Sequence, residues 1–139
     1  MRRGHRLSFA LVLWLLSLIA CAHRAELTAA DRVAIRAVIE RQLEAFRRGD
    51  ADAAFALASP EIQAKYGSPE NFMTAVRTYY APVYRPRRLG GFTSLHVIDG
   101  QPTQPVLLVG PDGDFAVALY SMKKQAHGDW KIVGCSLIP

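Results

Sequence analysis

The pattern of apolar residues changes near Pro82 from a helical period to short extended runs, and this change limits the chain to few folds. Before Pro82, apolar residues recur three and four positions apart, as on the buried face of an amphipathic helix. After it, short turn sequences separate the apolar runs, which is typical of strands joined as antiparallel hairpins. The sequence therefore predicts an α+β domain, with N-terminal helices packed on a curved antiparallel sheet of about four strands.

The predicted helices have recognisable start and stop signals. Thr28–Asp31 has the pattern of a capping box, in which side-chain oxygens accept hydrogen bonds from amides that a helix start leaves free. The long helix that follows should end at Gly49, and Asp50 can cap a short second helix. A third start signal, a capping serine followed by proline, occurs twice, at Ser59–Glu61 and at Ser68–Glu70. We therefore expect a long helix and three shorter helical segments before Pro82.

The strands are expected at about Phe92–Ile98, Val106–Val109, Phe115–Met122 and Trp130–Ile138. An antiparallel sheet with water on one face should alternate apolar and polar residues. The third strand does not, because it carries Phe115, Val117 and Leu119 on one side and Ala116, Ala118, Tyr120 and Met122 on the other. Two explanations remain open: a second copy of the chain covers the outer face as a homodimer, or the sheet curls enough to bury both faces.

The N-terminus has the three-part pattern of a secretory signal. Arg2, Arg3 and Arg6 precede the apolar run Leu7–Ala20, which ends at the small residues Ala20–Ala22. The run is short for a membrane span, which takes about 20 apolar residues. We therefore predict a signal peptide over residues 1–21, a single α+β domain over 22–139, and export to the periplasm or the cell envelope.

Two kinds of processing fit the end of this signal. Leu18–Cys21 is similar to the bacterial lipobox, in which the cysteine is acylated after cleavage, so Cys21 is a candidate lipidation site. Ala20–Ala22 also fits an ordinary peptidase site, which would release a soluble periplasmic protein. We therefore expect membrane association only if Cys21 carries a lipid.

Charge and composition narrow the classes of partner. The formal net charge of the whole chain is +5, but the predicted signal peptide holds three of the basic residues. The remaining chain is close to neutral, so the charge does not point to a nucleic-acid partner. The four histidines are scattered, and Cys135 lies in an apolar run that is typical of a buried thiol. We expect no metal site and no cofactor.

One segment has a composition suited to binding an anion. No carboxylate occurs between Glu70 and Asp99, where arginines and tyrosines accumulate. Arginine forks pair with carboxylates or phosphates, and tyrosine offers a flat apolar ring with a hydroxyl. The alternative is a solvated surface on which these side chains stack. The candidate binding residues are Arg77, Tyr80, Tyr84, Arg85 and Arg87.

Catalytic patterns are scarce, and we assign no catalytic residue from the sequence. The nucleophile motif Gly-x-Ser-x-Gly does not occur. His96, Asp99 and Tyr120 are the polar groups near the predicted sheet that could serve acid–base chemistry. We therefore expect non-catalytic binding of a small anionic molecule or of a cell-envelope partner. The alternative is an enzyme of the isomerase or dehydratase type that uses a polar group inside the fold.

Several sequence blocks together resemble a known family. They are Ala58–Pro60, Phe72–Met73, Tyr80–Pro86, Ala118–Tyr120 and Trp130–Cys135, of which Tyr80–Pro86 is the most specific. The chain resembles the exported bacterial family catalogued as domain of unknown function 4864. The resemblance implies a fold similar to the cone of nuclear transport factor 2 and the steroid isomerases. It implies no particular activity, because fold does not settle function.

Overall fold

The computed structural model describes residues 26–139, where five helices precede five strands. The predicted signal peptide and the candidate lipidation site Cys21 lie outside the described residues. None of the described helices has the length and apolar character needed to cross a membrane. The arrangement confirms the predicted α+β class, with helices followed by a curved antiparallel sheet.

The helices are α1 Ala29–Arg48, α2 Ala51–Ala56, α3 Pro60–Tyr66, α4 Pro69–Tyr79 and α5 Ala81–Tyr84. The predicted caps are present: Thr28 and Asp31 form the capping box, and the Ser59 and Ser68 hydroxyls accept amide hydrogen bonds at the starts of α3 and α4. Gly49 ends α1 in the left-handed conformation at φ 68°, which glycine adopts without steric cost. Helix α5 was not expected, because the helical pattern of apolar residues ends near Pro82. Pro82 instead lies in the first turn of α5, where its missing amide hydrogen is not needed.

The strands are β1 Arg88–Phe92, β2 His96–Ile98, β3 Gln101–Val109, β4 Phe115–Lys124 and β5 Trp130–Ile138. The sheet order is β1-β3-β4-β5, and β2 also pairs with β3. All these pairs are antiparallel, as the short connections predicted.

The first expected strand differs from the prediction, since the segment forms the end of β1 and all of β2, separated by residues 93–95. The break lies opposite Gln104 and Pro105 of β3. Proline has no amide hydrogen to donate across a ladder, so a gap in the neighbouring strand suits this position. The buried Gln104 side chain partly replaces the ladder, because its amide nitrogen donates to the Thr93 carbonyl over 2.7 Å.

The core lies between α1 and the inner face of the sheet. Helix α1 buries Ile35, Val38, Ile39 and Phe46, which recur at the spacing of one helical face. The inner face contributes mainly Val106, Leu108, Ala118, Tyr120, Met122 and Ile132. The outer face is also apolar but open, with Phe115 81% exposed and Leu107 and Ile138 partly exposed. That a second copy covers this face stays a prediction.

Asp31 joins the start of α1 to the β4–β5 hairpin. Its carboxylate accepts hydrogen bonds from Thr28, from the Lys124 ammonium over 3.1 Å, and from the Trp130 indole nitrogen over 3.3 Å. These contacts lower the pKa of Asp31 from 3.8 to about 2. The largest cause is the hydrogen bond from the Thr28 backbone amide, and the second is the hydrogen bond from Lys124. Asp31 is therefore an acid-sensitive link between the helix layer and the sheet.

We predict that Asp31→Asn removes part of the acid sensitivity of the fold. The Asp31 contribution to stability is fully present above pH 4 and is lost as the pH falls toward about 2, because the folded pKa lies below the unfolded one. Thermal midpoints measured from pH 2 to pH 7 should show a variant that is less stable at neutral pH and approaches wild type near pH 2. Asp112→Asn, at an exposed turn residue, is the control. Parallel curves for wild type and Asp31→Asn would contradict this role.

Candidate functional site

A cavity of about 420 Å³ lies between the helices and the β4–β5 half of the sheet. We call it the helix–sheet cavity and define it by Phe46 of α1, Tyr66 of α3, Phe72 of α4, and Tyr120 and Cys135 of the sheet. Most of its remaining walls are aliphatic. Ligand sites typically combine such a largely apolar wall with a few placed polar groups.

The hydroxyl of Tyr120 is the most unusual polar group in this cavity. Tyr120 lies on the inner face of β4, directly opposite Cys135 of β5, and its side chain is fully buried. Among the described residues, its hydroxyl oxygen has no hydrogen-bond partner. A buried hydroxyl without a partner costs about 1–3 kcal/mol, and buried polar side chains in folded proteins are rarely left so. The cavity is therefore lined by a residue whose buried hydroxyl is unused among the described residues.

The protonation state of Tyr120 defines what this group can do. Burial, together with a smaller effect of Cys135, raises the pKa of the phenol well above its usual value of 10. Tyr120 is therefore a neutral hydrogen-bond donor at any physiological pH, suited to an acceptor oxygen or nitrogen. Burial also raises the pKa of the neighbouring Cys135 thiol to about 12, so this sulfur is not an activated nucleophile.

Gln42 brings a second polar side chain to the cavity wall. It lies on the buried face of α1, between Ile39 and Phe46, and is only 3% exposed. Its amide nitrogen donates to the Ala54 carbonyl over 3.2 Å, which ties α1 to α2. The hydrogen bond holds the amide in one orientation at the cavity wall.

The charged groups of the cavity lie on the exposed helix α3. Glu61 and Lys65 both line it and are one helical turn apart. Glu61 is 3.7 Å from the Lys123 ammonium, whereas the Lys65 ammonium lies 5.3 Å from the centre of the Tyr66 ring. Hydrogen bonding to a backbone amide and to Ser59 lowers the pKa of Glu61, with a smaller effect of Lys123. Glu61 is thus ionised and is a weak base.

A family model described as a domain of unknown function (DUF4864) matches residues 28–139, which include the whole of this site. The chain belongs to the DUF4864 family. No curated protein and no solved structure gives a match. The family resemblance inferred from the sequence is therefore confirmed, and the site has to be interpreted from its own geometry.

The candidate binding residues of this DUF4864 domain occupy different surroundings. Tyr80 is partly buried and lines the helix–sheet cavity. Tyr84 packs on Phe46 with ring centres 6.4 Å apart, and the Arg85 guanidinium lies 5.2 Å from the centre of the Tyr84 ring. The structure thus brings Tyr84 and Arg85 into contact beside the core, but Arg85 does not line the cavity.

The two other candidate arginines are exposed. Arg77 lies on α4, where its guanidinium is 3.5 Å from the Thr74 hydroxyl. Arg87 lies before β1, and its backbone amide donates to the Val109 carbonyl over 2.8 Å. Within residues 26–139, no hydrogen bond, ion pair or cation–π contact joins Arg77 or Arg87 to the other candidates. Their role in binding stays a prediction.

The polar groups considered for acid–base chemistry are also separated. His96 is exposed on the short strand β2, and Asp99 is exposed in the following turn with φ 51°. Of the three, Tyr120 alone lines the cavity. Among the described residues, no group of three or more histidine, cysteine or acidic side chains could hold a metal ion.

Sequence reasoning missed Gln42, Lys65 and Tyr66 as cavity residues. Gln42 had a detectable signal, because a glutamine in the apolar stripe of a helix must be buried with its amide satisfied or directed at a polar feature. Lys65 and Tyr66 had none, since lysine and tyrosine near the end of a short exposed helix are common on any surface.

Proposed function

We propose that this DUF4864 protein binds a small, largely apolar molecule in the helix–sheet cavity and holds it through the Tyr120 hydroxyl. The observation that carries the proposal is that Tyr120, whose fully buried hydroxyl has no partner among the described residues, lines a mainly apolar cavity. An acceptor atom on the ligand would satisfy this donor, and the ligand body would cover the aromatic walls.

The cavity volume sets the size of the molecule. Liquid water takes about 30 Å³ per molecule, so 420 Å³ corresponds to roughly fourteen waters. Ligand atoms are bonded and never fill a site completely, which favours molecules of about ten to thirteen non-hydrogen atoms. Single fatty-acid fragments, small aromatic ketones and monoterpenes fall in this range.

Binding without catalysis fits the lining residues better than an isomerase or dehydratase reaction. Such reactions need a general base within hydrogen-bond reach of the substrate, with a pKa near the working pH. Among the described residues that line the cavity, Glu61 is the sole carboxylate and histidine does not occur. The lowered pKa of Glu61 and the raised pKa of Cys135 both move these groups away from that role.

The proposal can be tested by titration with 2-nonanone, a ketone of about ten non-hydrogen atoms that matches the cavity. Amide chemical shifts should change for residues around the cavity, such as Gln42, Tyr80 and Cys135. We expect Tyr120→Phe to weaken binding about three- to tenfold, the usual effect of one neutral hydrogen bond.

The matched control is Tyr79→Phe, which removes a hydroxyl from a side chain that is 74% exposed. This variant should bind 2-nonanone like the wild type. The proposal fails if the ketone perturbs no cavity residues. It also fails if Tyr120→Phe and Tyr79→Phe have equal affinities.

We further infer that binding takes place outside the cytoplasm. The support is the basic and apolar pattern of residues 1–20, which is typical of an export signal. A lipid on Cys21 would then tether the domain by the segment that precedes α1. Such a position suits a protein that captures small molecules at the cell envelope.

A further inference from the structure

We propose that the ligand is an amphipathic monoanion, with a carboxylate at Lys65, an acceptor oxygen near its other end at Tyr120, and an apolar chain between them. This inference rests on the proposed function, because it names the class of molecule that the helix–sheet cavity takes. Three features of the described residues carry it: the pairing of Glu61 with Lys123, the position of Lys65, and the different burial of Lys65 and Tyr120.

The positive charge that lines the cavity has no ion-pair partner of its own among the described residues. Glu61 and Lys65 are the charged residues among the described lining side chains. Glu61 already has a cationic partner outside the lining, since Lys123 of β4 is 3.7 Å away. Lys65 takes part in no ion pair among residues 26–139. The cavity therefore has one positive charge that a single anionic group on a ligand would balance.

Lys65 is also held where a ligand would meet it. Its ammonium lies 5.3 Å from the centre of the Tyr66 ring, within the range of a cation–π contact. The Tyr66 ring packs edge-on against Phe72, with centres 5.6 Å apart, and both rings line the cavity. An aromatic side chain that forms part of the cavity wall thus keeps the Lys65 charge near it. The charge would be partly shielded from water by a bound ligand, which strengthens an ion pair.

The two polar groups differ in burial. Tyr120 is fully buried on the inner face of the sheet, whereas Lys65 is exposed on α3. The lining side chains Phe46, Phe72 and Ile132 are buried and apolar. A ligand that used both groups would need a polar atom at each end of an apolar body. Fatty acids that carry a keto or hydroxyl group near the tail have this chemistry.

The test compares four probes of similar length: 8-oxononanoate, its methyl ester, nonanoate and 2-nonanone. The first has both polar ends, the ester lacks the charge, nonanoate lacks the tail oxygen, and 2-nonanone lacks the carboxylate. Their affinities are measured by calorimetry or amide shifts for the wild type, Lys65→Gln, Arg32→Gln and Tyr120→Phe. Lys65 and Arg32 are both exposed, so neither substitution disturbs the core.

We expect wild type to bind 8-oxononanoate about three- to tenfold more tightly than its ester, as for a partly exposed charged pair. Lys65→Gln should abolish this preference and leave 2-nonanone binding unchanged. Arg32→Gln removes the same charge away from the cavity and should keep the preference. Tyr120→Phe should weaken the three probes with a tail ketone and leave nonanoate unaffected.

The outcomes separate this inference from the proposed function. If 2-nonanone binds the cavity but acid and ester have equal affinity, the anion is wrong and the small-molecule site stands. A preference that persists in Lys65→Gln, or disappears equally in Arg32→Gln, also overturns the assignment to Lys65. If no probe binds, both proposals fail together.

Discussion

Replacing Tyr120 with phenylalanine should raise the free energy of unfolding of the ligand-free protein by about 1–2 kcal/mol. The substitution keeps the ring, which is fully buried, and removes a hydroxyl that has no partner among the described residues. Unfolding of the wild type lets water solvate this hydroxyl, and that gain is absent in the variant. Urea denaturation of both proteins, with unchanged slopes, measures the difference.

The stability advantage of the variant should shrink when ligand is present, because a three- to tenfold difference in affinity corresponds to about 0.6–1.4 kcal/mol. A ligand that binds only the folded state stabilises it in proportion to the logarithm of its concentration over its dissociation constant. The wild type should therefore gain more stability from saturating 2-nonanone than Tyr120→Phe does. Tyr79→Phe, at an exposed position, should stay within about 0.5 kcal/mol of wild type. A Tyr120→Phe variant less stable than wild type would show that the hydroxyl is already satisfied in the folded protein.

This pair of results would identify Tyr120 as a residue kept for binding at a cost to stability. Natural proteins tolerate such costs at functional sites, where local rules of folding are most often broken. If Tyr120 served packing alone, the variant would be as stable as the wild type or less stable, both without and with 2-nonanone.

Phe46→Ala should lower the free energy of unfolding by about 3–5 kcal/mol, the usual loss for a truncated buried aromatic ring. Phe46 is 1% exposed, and its ring lies 6.2 Å from that of Phe72 and 6.4 Å from that of Tyr84. It also forms part of the wall between the core and the helix–sheet cavity. The loss is a large fraction of the stability of a small domain, typically about 5–15 kcal/mol.

The control for Phe46→Ala is Phe115→Ala, which truncates a ring that is 81% exposed. That variant should change stability by no more than about 0.5 kcal/mol. Chemical denaturation of the three proteins at one pH is the measurement. A loss below about 1 kcal/mol for Phe46→Ala would mean that neighbouring side chains close the new space, and the cavity wall would then not depend on this ring.

Local chemistry explains what could be predicted from the sequence. The starts of α1, α3 and α4 were recognised because Thr28, Ser59 and Ser68 act on amides only three residues away. The apolar stripe of α1 was recognised because its spacing equals the helical period. The order of helices and hairpins then left the α+β class as the natural way to bury both apolar faces.

Where local signals were ambiguous, contacts between residues distant in sequence determined the secondary structure. Strand β3 is longer than predicted, because its proline residues are not typical of a strand. The segment that pairs with it is divided into β1 and β2 at Pro105, which cannot donate a hydrogen bond. The helical part was expected to end near Pro82, whereas Pro82 lies in the first turn of a further helix, α5. In each case proline restricts the backbone in the same way, but its neighbours in space determine which structure satisfies that restriction.

The sequence by itself determined the helix caps, the buried face of α1, the hairpin order and the DUF4864 resemblance, because each depends on residues close along the chain. Only the tertiary structure decided the site. Tyr120 was expected near the sheet, but whether its hydroxyl finds a partner within residues 26–139 depends on the residues that pack around it from the helices and the neighbouring strand. Among the same residues, Lys65 has no ion-pair partner, because Glu61 lies beside Lys123, a contact across 62 positions of sequence. Burial and pairing are properties of neighbours in space, and the fold alone brings those neighbours together.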